Sequence, residues 1–240
     1  MIAIFFALSQ EVASLKSQVN ILKKIRYANA VFYQAEFCGF PVTLVQTGVG
    51  KNVSEAIHQL STYFRIQLMV SSGFAGSVNP KVGVGDLVIG RRVLSSSRGV
   101  SEEGIPIDSA LPCDASAVDI AVALSSAGAL KFHCGDILSV DKIIRQSSLK
   151  THIGNQTSAI AVDLESFAIA ERPNAMGIPF IAVRAISDGV DEDMEVGEDL
   201  VTRGGNVNIS ATVRYLLNKP HHIPYLNRLR KQTKLATNSL

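Results

Sequence analysis

Residues 159–191 read AIAVDLESFAIAERPNAMGIPFIAVRAISDGVD, and the reading of this stretch decides the fold. A short apolar run ends at Asp163. Leu164, Ala168 and Ile169 then recur at helical spacing, and a second apolar run extends from Pro179 to Ile186. The pattern is strand, helix, strand, loop. Two carboxylates mark its turning points: Glu165 where the first strand passes into the helix, and Asp188 just past the second strand. In an α/β sheet, strand ends and helix starts on one edge form the ligand crevice, so acids carried there by separate strands face one bound molecule. Taken singly, each acid has a plainer reading, Glu165 as a helix-start acid and Asp188 as a turn residue. Together, on this frame, they mark a site. Pro173 inside the helical pattern predicts a kink or an early end there.

Upstream, Ile2 to Leu8 is a continuous apolar run that suits a central parallel strand. Ser9 can cap a helix beginning near Gln10, with Val12, Leu15, Val19 and Leu22 at helical spacing and Glu11 at the strand-to-helix junction. Ala30 to Phe37 and Pro41 to Thr47 read as two strands around a Cys38-Gly39-Phe40 turn. The second runs into Thr47-Gly48-Val49-Gly50-Lys51-Asn52, a tight turn without P-loop spacing, and then a helix through about Phe64. Gln67 to Ser72 is a buried strand, followed by a loop of mostly small residues, Gly73-Phe74-Ala75-Gly76, where a ligand can approach the main chain. Asp86 to Leu94 and Cys134 to Val140 are further strands, with a loop at 95–112 between them. Asp114 caps a helix to about Ser126, and a short helix covers Ser147 to His152. Beyond Asp188 come an acidic loop, Asp191 to Asp199, and a helix from about Asn206 to Leu217. The alternation of strands and helices predicts an α/β fold with a parallel or mixed sheet.

With 47% hydrophobic residues, the 240-residue chain can bury a large core, and residues 1–218 read as a single catalytic domain. A net charge of +2 gives no pull toward nucleic acid. Cys38, Cys113 and Cys134 lack CxxC spacing and fit a reducing cytoplasm rather than a disulfide framework or a zinc site. The histidines show no paired-ligand spacing, so no metal is expected. No stretch is long enough to span a bilayer. Residues 219–240 form a basic amphipathic tail, with Leu226, Leu229 and Leu235 among Arg228, Arg230, Lys231 and Lys234. Such a segment lies on an anionic membrane surface, docks as a helix, or stays solvated.

In order along the chain, ALSQEV (7–12), TGVGK (47–51), SSGFAG and VGDLVIG (71–90), SVDKII (139–144), AVDLESFAIA (161–170) and IPFIAVRAISDGVD (178–191) resemble the nucleoside phosphorylase and nucleosidase superfamily. The resemblance implies a three-layer α/β/α sandwich with a central mixed, largely parallel sheet. ALSQEV is similar to the branch that cleaves methylthioadenosine and adenosylhomocysteine with water. The Gly-Asp-Pro phosphate loop of the phosphorylases is absent. SVDKII, AVDLES and the basic tail look closest to the hopanoid-associated phosphorylases, which implies an adenosylhopane-type, lipid-linked purine nucleoside. It also implies a homo-oligomer, while the cysteines point to the cytoplasm and the basic tail to peripheral membrane contact.

Carried over position by position, the resemblance makes Asp188 the acid that protonates the purine at N7 and Glu11 the residue that activates the attacking water. Glu165 becomes the carboxylate that holds the ribose hydroxyls. Leu164 replaces a Met packed under the sugar, Ser187 lies beside the acid, and Phe74, Ala75 and Gly76 fill the loop that lines sugar and base. Ile143 and Ile144 occupy base-binding positions. Ile143 stands where an aromatic often stacks, Phe74 replaces a small Ser, and Asp163-Leu164 replaces a Glu-Met pair.

The chemistry suits these residue types. A purine anion leaves badly unless it is protonated as the bond stretches, and general-acid help of this kind is worth ~100- to 10,000-fold. That role asks for an Asp188 kept neutral by burial and neighbouring negative charge. A carboxylate at Glu165 stabilises the developing oxocarbenium charge. Glu11 on the opposite face serves as base, the division of labour of inverting glycoside hydrolysis. No cofactor is needed. A phosphorylase would instead take phosphate as co-substrate, with Arg91, Arg92 or Lys51 as anion contacts. A non-catalytic nucleoside-binding module is the remaining alternative.

Overall fold

The computed structural model describes residues 1–27, 30–48, 53–96, 98–128, 130–194 and 223–240. Strand β1 (Ile2–Phe6) sits between β4 (Phe40–Gln46) and β5 (Leu68–Ser77), parallel to both. Its alternation sends side chains to two different cores. Ala3 and Phe5 join the cluster built with helices α2 (Val53–Tyr63), α3 (Ala115–Ala127) and α5 (Ser166–Met176). Ile4 and Phe6 join Val12 of helix α1 (Ser9–Lys16) on the other face. A strand buried on both faces must be apolar at every position, which is why Ile2 to Phe6 carries no polar residue.

The sheet continues outward through β4, β3 (Ala30–Phe37) and β2 (Asn20–Tyr27), all antiparallel neighbours. On the other side, β5 pairs with β10 (Phe180–Asp188) in parallel. From there β10 pairs with β6 (Leu87–Ser96), β6 with β8 (Phe132–Val140), and β8 with β9 (Ala159–Asp163). A short antiparallel contact, Gly76↔Val162 and Ser77↔Ala161, brings β9 back to β5. The sheet of this α/β fold is therefore mixed, with helices on both faces, and it curls shut at one end.

Four local expectations change, besides the start of α1, where Leu8 rather than Ser9 holds the N-cap position. The helix that was to reach Leu22 stops at Lys16, and Asn20–Tyr27 instead forms a mostly exposed strand paired with β3. Ile21 and Ile25 are β-branched and favour that pairing, and the Lys16 and Lys24 ammonium groups lie over the Tyr33 ring. The loop at 95–112 contains a short strand, β7 (Ser109–Pro112), paired with β6. Gly73 to Gly76 belong to β5 rather than to a loop. Pro173 does not end α5, which runs to Met176 and stops where Gly177 turns left-handed at φ 66°. The predicted helix at 206–217 lies outside the described residues.

Asp114 caps α3 through the Ala117 amide, as its position predicts. The C-terminal segment is a helix, α6 (Ile223–Ser239), docked on the body. Ala236 is fully buried with Leu87 and Ala185, while Arg228, Arg230, Lys231 and Lys234 stay exposed. No helix among the described residues is long and apolar enough to cross a membrane.

Helix α4 (Ser147–Gln156) approaches the end of β5 so closely that a Cβ on Gly154 would overlap the Val78 carbonyl. Gly154→Ala should therefore lower the unfolding free energy by about 1–3 kcal/mol or more in a urea titration. Gly104→Ala, with open space around the added methyl, should stay within about 0.5 kcal/mol of wild type.

Candidate active site

Ser71, Ser72, Gly73, Ala75 and Gly76 make β5 nearly bare of side chains just where β1, β9 and β10 converge on it. That bareness admits charged groups from its neighbours. Glu11, in the first turn of α1, is 4% exposed and accepts two backbone amides, Leu8 N–H at 2.6 Å and Phe74 N–H at 2.8 Å. A Cβ on Gly73 would lie 2.7 Å from Glu11 Oε1 and 3.1 Å from Arg184 Nη1. Burial pushes the Glu11 carboxyl above its ordinary value, against the opposing pull of the two amides and of Arg184.

Arg184, on β10, is 2% exposed and fully engaged. Its Nε donates to Asp163 Oδ2 at 2.6 Å and its Nη2 to Ser71 Oγ at 2.7 Å. Asp163 also accepts from Ser139 Oγ at 2.5 Å and from the Ser166 amide at 3.2 Å. One carboxylate thus ties β8, β9, β10 and the start of α5 together. Because Asp163 receives that first amide, Glu165 holds the N-cap position of α5 without capping it through its side chain, and it is half-buried.

Asp188 closes β10 after a register shift and leans over Gly76, where an added Cβ would lie 2.8 Å from its Oδ2. Gly73 and Gly76 are three residues apart, so the places where Glu11 and Asp188 touch β5 are roughly 10 Å apart along the strand. Ser187 Oγ donates to Asp188 Oδ1 at 2.8 Å. The group in contact with Oδ2 is a cation, Lys150 Nζ at 2.6 Å, and not the negative charge expected from the sequence. Lys150 is entirely buried and donates further to the carbonyls of Gly189 and Glu192, each at 2.9 Å.

Ile144 is buried, and Leu164 packs against the same hydrophobic cluster. Ile143 is half-buried beside it in the chain. The loop after Asp188 is tied to this region through Met194 N–H to Arg145 O and Ser147 N–H to Asp193 Oδ1. Ala75 is buried in the main core, whereas the Phe74 side chain packs toward Ala185, Leu87 and Ala236 and meets the site through its amide. Of the proposed anion contacts, Arg92 is held by Asp136 and Ser158, Arg91 is exposed, and Lys51 lies outside the described residues.

Three residues of this arrangement escaped the sequence reading as functional positions: Asp163, Arg184 and Lys150. Arg184 and Asp163 had a readable signal, since a charge inside an apolar strand must find a partner. Lys150 had none, because SSLKTH reads as an ordinary solvated helix turn.

The Phosphorylase superfamily profile matches residues 1–214. The chain belongs to this enzyme superfamily. It is 31% identical over 201 residues to a 5′-methylthioadenosine/S-adenosylhomocysteine nucleosidase of Staphylococcus saprophyticus, covering 80% of this chain and 88% of that protein. A nucleosidase of the same name from Buchnera aphidicola is 29% identical over 226 residues, covering 91% and 96%. Among solved structures, the Neisseria meningitidis nucleosidase in complex with methylthio-immucillin-A superposes with a TM-score of 0.75 at 22% identity, covering 99% of this chain and 94% of that one. Futalosine hydrolase of Helicobacter pylori superposes at 0.73 and 19% identity, with the same coverage. At these identities the structural likeness establishes the fold.

Breaking the buried Arg184–Asp163 pair from one side strands the other charge. Arg184→Met and Asp163→Asn should each lower stability by about 3–5 kcal/mol. The double variant should lose clearly less than the sum, read by denaturant unfolding in a double-mutant cycle.

Proposed function

We propose that this enzyme hydrolyses the N-glycosidic bond of a purine nucleoside of the adenosine type. The observation that carries the reading is the pair of carboxylates leaning on one bare strand, Glu11 at Gly73 and Asp188 at Gly76. A sugar bound between them would present its base to Asp188 and the opposite face of its anomeric carbon to Glu11. As the bond stretches, its electrons move to the base and Asp188 delivers a proton to it. Glu165 holds the ribose hydroxyls and offsets the oxocarbenium charge. Glu11 takes a proton from the incoming water, as the base does in inverting glycosidases.

Water rather than phosphate is favoured by the way the buried cations are used: Arg184 is held by Asp163 and Lys150 by Asp188. The names of the sequence relatives point the same way. Leu164 and Ile144 give the neighbourhood an apolar wall, which suits an apolar group on the 5′ carbon. A homo-oligomer and contact of the basic face of α6 with an anionic membrane go with this reading as proposals. Light scattering showing monomers would remove the first. A chain left in the supernatant when anionic liposomes are sedimented would remove the second.

The test is base release from methylthioadenosine, adenosylhomocysteine, futalosine and adenosylhopane, with phosphate varied. The reading expects a free base and a free sugar, independent of phosphate, and a loss of roughly 100-fold or more in Asp188→Asn. Sugar 1-phosphate as product would overturn hydrolysis, and an Asp188→Asn variant as fast as wild type would overturn the acid. The pH profile has a fixed sign as well. Glu11 must be ionised to act as base, and its folded value lies above 4.5. Activity should therefore fall as pH drops through a value above 4.5, and an acidic limb below 4.5 would contradict the assignment.

A further inference from the structure

Lys150 is a long cation with no exposed surface, on a helix whose sequence gives no reason to bury it. Burying an ammonium is costly unless each of its N–H bonds finds an acceptor. Here the count matches: the charged amine has three donors, and the acceptors are Asp188 Oδ2 at 2.6 Å, Gly189 O at 2.9 Å and Glu192 O at 2.9 Å. Two of the three acceptors are neutral carbonyls. A neutral amine, which has two N–H bonds, would still satisfy both of them and would give up only the bond to Asp188. Two of the three bonds therefore do not depend on the proton that points at Asp188.

We propose that Lys150 is the positioning residue behind Asp188 and the store of the proton that reaches the departing base, an inference that rests on the hydrolytic reading above. In the resting enzyme the proton sits between the ammonium and the carboxylate. When the glycosidic bond breaks, its electron pair passes to the purine, and the one proton shared by Lys150 and Asp188 crosses through the Asp188 carboxyl group to the base. Asp188 is left as a carboxylate and Lys150 as a neutral amine held by Gly189 O and Glu192 O. Water adds its hydroxyl to the anomeric carbon, its proton passes through Glu11 to solvent, and solvent returns one proton to Lys150. Atoms and charge balance over the cycle. The same three bonds fix the backbone that follows Asp188, and Glu192 extends the tie to α6 through Gln232 at 2.7 Å. Lys150 thus also sets the aim of the carboxylate.

The role separates from a merely structural one by its dependence on the leaving group. The experiment compares methylthioadenosine, whose base needs protonation, with p-nitrophenyl β-D-ribofuranoside, whose nitrophenolate leaves unaided. Both are measured on the same preparation of wild type, Lys150→Met and Lys150→Arg. The proposal expects kcat for methylthioadenosine to fall by roughly 100-fold or more in Lys150→Met with KM little changed. It expects nitrophenyl riboside cleavage to stay within a few-fold of wild type, and Lys150→Arg, whose guanidinium keeps the charge but does not release its proton, to recover none of the loss. The ratio of the two rates is independent of how much of the preparation is folded. Should Lys150→Met give no soluble protein, the ratio is read on Lys150→Gln. An unchanged ratio, with both substrates slowed alike, overturns the Lys150 role and leaves the hydrolytic reading standing. A wild-type enzyme that releases a free base from none of the four nucleosides named above overturns the hydrolytic reading and this proposal together.

Discussion

A guanidinium with almost no access to water governs this structure. Arg184 stands on a strand that is otherwise apolar apart from its last two residues, and removing its charge from solvent is tolerable only because Asp163 and Ser71 meet it within hydrogen-bonding distance. Those partners arrive from β9 and β5, so the pair holds only where β5 runs beside β10 and the end of β9 reaches Arg184. The short β9–β5 contact that closes the sheet lies beside this pair, and the fold and the charge cluster depend on each other. Asp163 adds Ser139 of β8 and the first amide of α5 to the knot, which fixes the turn that carries Glu165.

The bareness of β5 is the complementary constraint. Two glycines sit where a methyl would collide with the Glu11 and Asp188 carboxylates, so those groups rest on the main chain itself. Each acid is then held differently. Two backbone amides grip Glu11 in a buried setting, while Asp188 is gripped by a hydroxyl and an ammonium. Two carboxylates of similar intrinsic chemistry are thereby given different surroundings on one strand, which is the condition for assigning one as base and the other as proton donor.

Much of this was legible in the sequence. Apolar runs with strand length gave the buried strands β1, β5 and β10, and the acids at their ends pointed to one edge of the sheet. The Asp114 cap, the turn at Cys38 and Gly39, and the helix beginning after Glu165 followed from local chemistry with known geometry. Other features had no local cause. The exposed strand β2 exists because β3 offers it a partner, against a helical spacing that looked continuous through Leu22. The closure of the sheet depends on a two-residue contact between segments some 85 positions apart. Lys150 is buried by three acceptors from the end of β10 and the loop after it, so its own neighbours in sequence say nothing of its fate.

The account rests on Glu11 and Asp188 facing one nucleoside from two sides. The most direct measurement is a crystal structure of Asp188→Asn, slowed in turnover, with methylthioadenosine bound. The account predicts the base against residue 188, the ribose hydroxyls against Glu165, and the far face of the anomeric carbon toward Glu11. A nucleoside bound away from β5, or one whose anomeric carbon is turned from Glu11, would contradict it.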